Sequence, residues 1–181
     1  LSFAQRRLWF LHSLEGPSPT YNIPLVIELT GDLDTKALEA AINDIVAHHE
    51  TLRTIFPVTE GNAYQDIIDS SEAQVELLIT RIKESDLDAE ITSATRYSFN
   101  LAMEPSIYAQ LFTVKDDKHV LVLLLHHIAA DGWSLTPLTR DLTAAYKARI
   151  RGEAPNLTPL PVQYADYALW HEDKPYEGNG K

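Results

Sequence analysis

The run Val120-Leu121-Val122-Leu123-Leu124-Leu125 limits the possible folds of this chain more than any other feature. It has no polar alternation, so it reads as a strand covered on both faces, the central strand of a sheet. Residues 107–114 form a second β-rich run, and the intervening Lys115-Asp116-Asp117-Lys118 makes the pair a hairpin. A strand buried on both sides needs cover, and 181 residues that are 45% hydrophobic can supply it as one domain or one lobe of something larger.

The covering elements can be read along the chain. Residues 22–29 suit a strand closed by the Gly31-Asp32 turn. A helix capped by Asp34 follows, with Ala37, Leu38, Ala41, Ile42, Ile45 and Val46 on one stripe and its end near His48-His49. Short strands are expected near residues 53–56 and 64–68, and a helix over 85–96 with Leu87, Ile91 and Ala94 on one face. Ser134 can cap a last helix carrying Leu135, Leu138, Leu142, Ala145 and Ala148, with Pro137 in its first turn and Gly152 beyond its end. Pro155, Pro159 and Pro161 then form an extended connector to an aromatic segment, residues 164–170. The expected fold class is α/β, a mixed β-sheet covered by helices.

Composition narrows the partners. Fifteen Lys and Arg against 26 Asp and Glu give a net charge of -11, which repels nucleic acid and anionic membrane, so neither is an expected partner. The absence of cysteine removes disulfides, thiolate metal sites and a cysteine nucleophile, and fits a reducing, cytoplasmic setting. Without an initiator Met, a basic leader or a long apolar stretch, the chain reads as an excised piece of a soluble protein.

Chemistry is expected where the central strand ends, at His126-His127-Ile128-Ala129-Ala130-Asp131-Gly132. Successive strand residues face opposite ways, so one histidine can meet a cleft while the other meets the interior. A histidine can hold or take a proton near neutral pH, and a strand end fixes it well. Asp131 can orient an imidazole or pair with an arginine, and Gly132 permits a tight turn. The plainer reading, a hydrogen-bonded structural histidine, stands beside this one. A metal site of His126, His127 and Asp131 is disfavoured because the adjacent histidines diverge, and no metal is expected. Gly132-Trp133-Ser134-Leu135-Thr136 lacks the final glycine of a hydrolase nucleophile elbow. His48-His49, at a helix end, reads as structural.

Four separated segments, residues 2–11, 49–56, 126–134 and 164–170, resemble in order the motifs of nonribosomal peptide synthetase condensation domains. Residues 2–11, beginning Ser2-Phe3-Ala4-Gln5-Arg6-Arg7, resemble the opening motif, and His49-Glu50-Thr51-Leu52-Arg53-Thr54-Ile55-Phe56 resembles the second. Residues 126–134 resemble the HHxxxDG active-site motif, and residues 164–170 the fourth. The resemblance implies a chloramphenicol acetyltransferase-like lobe over residues 1–172; residues 173–181, rich in Gly, Pro and charge, match no motif and read as a flexible tail or fusion scar. It implies His127 as the catalytic residue nearest the attacking amine, supported by His126, Asp131 and Gly132. Arg6, Arg53, Trp133 and Ser134 are implied to be structural, as are Trp9 and Trp170.

The implied reaction joins a donor aminoacyl or peptidyl thioester to the amine of an acceptor aminoacyl thioester. No tightly bound cofactor is expected, since phosphopantetheine arms arrive on carrier proteins. Implied partners are the upstream and downstream peptidyl carrier domains, the C-terminal lobe of the same domain and a neighbouring adenylation domain. The intact double histidine points away from heterocyclising and degenerate recruitment relatives, and Thr20-Tyr21-Asn22-Ile23-Pro24 resembles the branch joining two L-residues. The other readings are a freestanding acyltransferase using coenzyme A thioesters and a non-catalytic docking lobe. A lone lobe is expected to be weakly active and to expose an apolar face.

Overall fold

The computed structural model describes residues 1–129 and 135–158. Its main sheet has four strands in the order β1 (Asn22–Thr30), β8 (Lys118–His126), β7 (Ile107–Lys115), β6 (Leu77–Arg81). Strands β1 and β7 both run antiparallel to β8, and β6 runs parallel to β7, so the sheet is mixed as expected. The apolar run is therefore central. Odd residues Leu121, Leu123 and Leu125 enter one core with Ile107, Ala109 and Leu111, whereas even residues Val120, Val122 and Leu124 enter another with Phe99 and Phe112. Period-two alternation has thus been kept, with apolar side chains on both faces.

The first core is covered by α2 (Thr35–His48) and α4 (Leu135–Ile150). The Asp34 carboxylate accepts the Ala37 N–H at 3.0 Å, and Ala37, Leu38, Ala41, Ile42, Ile45 and Val46 are all buried, as their spacing predicts. Pro137 lies in the first turn of α4, and Gly152, with φ of 73°, follows its end. The second core is covered by α3 (Leu87–Thr95), with Leu8 and Trp9 of α1 (Phe3–Glu15) packed against it.

Several details differ from the sequence expectation. The segment before α3 winds first as a 3-10 turn over Glu84–Asp86, which delays the helix start. The two short strands shrink to β2 (Thr54–Ile55) and β5 (Asp66–Ile67), which pair with each other. Between them β3 (Val58–Thr59) and β4 (Asn62–Ala63) make a small hairpin turned by Glu60-Gly61, both at positive φ. Helix α1 and strand β6 are additional. The Ser2 hydroxyl accepts the Gln5 N–H while the Gln5 carboxamide accepts the Ser2 N–H, a complete capping box.

Edge position explains the proline in β1. The His127 N–H donates to Tyr21 O at 2.9 Å, so odd residues of β1 are the hydrogen-bonded ones and Pro24, opposite Leu124, falls between them. Its missing N–H therefore faces the edge that no other strand of the described residues pairs, where none is required.

Candidate active site

The site is assembled where β8 runs out. The His126 N–H donates to Ser106 O at 3.1 Å on the β7 side, and the His127 N–H donates to Tyr21 O on the β1 side, so both flanking ladders extend to the double histidine. The chain then turns. The Ala129 N–H donates to His126 O at 2.9 Å, closing a turn over residues 126–129, and the Ile128 N–H donates to His126 Nδ1 at 3.0 Å. The imidazole of His126 thus acts as an internal staple across His127.

Burial separates the two histidines sharply. His126 is 0% exposed, and Ile128 and Ala129 within the turn are also buried, while His127 is exposed. Ring contacts surround His126: His12 at 6.0 Å and Phe99 at 6.1 Å, both edge-on, and Tyr21 at 6.2 Å. Desolvation pushes its pKa down to about 4, helped by the neighbouring His12 and His127, so it is neutral at pH 7. Because Nδ1 accepts the Ile128 N–H, the proton of the neutral ring resides on Nε2. His12 is likewise held below its ordinary pKa by burial.

Gln5 links the opening motif to this turn, a role the sequence reading missed. It is 2% exposed, and its carboxamide donates to Ile128 O at 3.4 Å while its oxygen accepts from Gln65 at 3.1 Å. The available signal was the Ser2…Gln5 spacing of a capping box, although nothing local names a partner 123 residues away. Tyr21 and Ser106 were also missed as backbone anchors, since a main-chain acceptor leaves no mark in side-chain pattern.

Arg53 braces the second motif. Its guanidinium donates to Ala47 O at 3.3 Å and Ile68 O at 2.7 Å and lies 3.7 Å from Glu50, so it ties the end of α2 to the segment after β5. Arg6 is exposed on α1, and Trp9 packs on the second core. His48, His49 and Asp141 offer ligand atoms within 4.8 Å of one another, the one such group of three among the described residues. His49 Nε2 and the Asp141 carboxylate already satisfy each other at 2.9 Å, and burial outweighs the carboxylate in lowering the His49 pKa. The cluster therefore reads as a neutral imidazole donating to a buried carboxylate, tying α2 to α4. The remaining site expectations, Asp131, Gly132, Trp133 and Ser134, lie outside the described residues, as do residues 164–170 and the tail.

Comparison with known proteins bears on this geometry. The family model described as Condensation domain matches residues 1–178. A dimodular nonribosomal peptide synthase of Bacillus subtilis (strain 168) is 58% identical over 173 residues, which cover 96% of this chain and 7% of the relative. Among solved structures, the X-domain in complex with OxyB from teicoplanin biosynthesis superposes with a TM-score of 0.89 at 38% identity, covering 95% of this chain and 37% of that one. The starter condensation domain of rhizomide synthetase gives a TM-score of 0.83 at 20% identity, covering 95% and 42%, a likeness of fold. The chain thus spans a small fraction of its curated relative and well under half of the solved chains it resembles. No helix among the described residues is long and apolar enough to cross a membrane.

Proposed function

This chain belongs to the condensation-domain family of nonribosomal peptide synthetases, and from that premise we propose that it provides one wall of an amide-forming site with His127 as its catalytic group. The acceptor amine attacks the donor thioester carbonyl, the C–N bond forms, the C–S bond breaks, and a carrier-bound pantetheine thiol leaves. His127 holds the amine by a hydrogen bond and assists the proton's departure. An α-amine titrates near neutral pH, so positioning does more for the rate than strong basicity. Both thioesters are brought by carrier proteins, and the residues that complete the site come from a second lobe. The Thr20-Tyr21-Asn22-Ile23-Pro24 segment supports the branch joining two L-residues.

One observation carries this reading: an exposed imidazole at the apex of a turn whose other side chains, His126, Ile128 and Ala129, are buried. A side chain held out of a rigid strand end is suited to meet a substrate, whereas a structural histidine would be drawn inward like His126. The test is amide formation between donor and acceptor aminoacyl carriers, catalysed by this lobe joined to a matching second lobe. His127→Ala should lower the rate about 10²-fold or more. Equal rates would make His127 structural and remove the assignment.

A non-catalytic docking lobe is the second reading, favoured by the likeness to an X-domain that forms a complex with OxyB. That reading predicts no product from the joined lobes and retained partner binding in His127→Ala.

A further inference from the structure

Beneath His127, the end of the sheet carries three side chains that the proposed reaction does not use. Asn22 lies directly opposite His126 in the β1–β8 register. On the other side, the β7–β8 register pairs Ile107 with Leu125, and one step further Ser106 stands opposite His126, its carbonyl accepting the His126 N–H. Residues directly opposite in antiparallel strands project to the same face, at Cα separations of about 4.5 to 5.5 Å. Asn22, His126 and Ser106 therefore form one polar row across three strands, on the side of the second core.

Each of the three has one buried side-chain atom without a hydrogen-bond partner among the described residues: Asn22 Oδ1, His126 Nε2 and Ser106 Oγ. His126 and Ser106 are both 0% exposed. Their chemistry is complementary. The Asn22 amide already donates to Thr95 O at 3.2 Å and Tyr97 O at 2.6 Å, which leaves Oδ1 as an acceptor. With Nδ1 accepting from Ile128, His126 Nε2–H is a donor, and the serine hydroxyl can be either. Buried polar atoms of native proteins are nearly always satisfied, and interior waters typically make about three hydrogen bonds to such groups.

We infer that Asn22, Ser106 and His126 bind one ordered water beneath the catalytic turn, and that Asn22 and Ser106 act through it as positioning residues for His127. The water accepts from His126 Nε2–H and donates to Asn22 Oδ1, while its other hydrogen or lone pair meets Ser106 Oγ. Holding the proton on Nε2 keeps Nδ1 as the acceptor of the Ile128 N–H, which fixes the turn that presents His127. None of these groups touches substrate. The positioning role rests on the proposed catalytic role of His127; the water site does not.

Two measurements separate these parts. Long-range proton–nitrogen NMR of the intact chain at neutral pH should show His126 as the Nε2–H tautomer, with a slowly exchanging Hε2 that cross-relaxes with bound water. An Nδ1–H tautomer, or an Hε2 without a water cross-peak, would overturn the site. In the joined-lobe enzyme, Ser106→Ala should lower kcat about tenfold with KM unchanged, and Ser106→Thr should restore it. An unchanged kcat in Ser106→Ala would overturn the positioning role. If His127→Ala leaves the rate intact, the catalytic reading fails, and the NMR result alone still decides the water.

Discussion

At the scale of single residues, the two adjacent histidines differ in what a change of pH does to them. His126 has a pKa near 4 in the folded chain, against 6.5 for a free histidine. Between those values the unfolded chain binds the extra proton and the folded chain does not. Stability is therefore full above about pH 6.5, falls as pH drops, and levels off below about 4. A depression of that size corresponds to roughly 3 kcal/mol at most. Urea unfolding at pH 7 and pH 4.5 should show a smaller loss in His126→Gln than in the parent, since carboxylates contribute alike to both. Equal losses would mean that His126 is not the buried neutral group described. Gln5 offers a second check: Gln5→Leu removes the buried carboxamide that bonds the Ile128 carbonyl and Gln65 and should cost about 1–3 kcal/mol in the same measurement. The opposed facing of His126 and His127 was legible from strand alternation alone. Which atoms each would meet was not, because Ser106, Tyr21 and Gln5 arrive from distant parts of the chain.

Among elements, legibility followed periodicity. Helix α2 had one apolar stripe and an aspartate cap, and β8 had an unbroken apolar run, so both could be located from sequence. Helix α1 could not, because it is apolar on two faces: Leu8 and Trp9 pack inward while Phe3, Phe10 and Leu14 are exposed. Strand β6 escaped because it is a short parallel edge strand whose last four residues are exposed, so no buried-and-exposed alternation announces it. The pairing of α2 with α4 depends on polar ties that sequence does not rank. Arg149 grips Asp44 with two hydrogen bonds, of 2.8 and 2.6 Å, and His49 donates to Asp141 at 2.9 Å. His49→Ala leaves a carboxylate that is 7% exposed without its donor and should destabilise by about 2 kcal/mol in urea unfolding. A cycle with Asp141→Asn should give a coupling of about 1 kcal/mol or more, and simple additivity would show that the contact contributes nothing.

For the whole molecule, the expected α/β lobe and the family were legible because, among the described residues, the opening motif caps a helix, the second forms a 3-10 turn and the double histidine ends the central strand. What surrounds the lobe was legible only as an expectation of an exposed apolar face. At about 100° per residue, Phe3, Phe10 and Leu14 fall within one narrow arc of α1, opposite the arc of Gln5, Leu8 and Trp9 that packs inward. Their exposures of 85%, 59% and 71% are high for large apolar side chains aligned on one helix face. The even face of β1 adds Pro24 and Val26, both exposed. Such a surface drives association when nothing covers it, so the chain should show a concentration-dependent size on gel filtration. Because Phe10 and Leu14 contribute little to either core, Phe10→Glu with Leu14→Glu should abolish the association while leaving the melting temperature nearly unchanged. A parent chain whose size does not vary with concentration would show that this face needs no cover, and would remove the structural reason to assign it to a lobe–lobe contact.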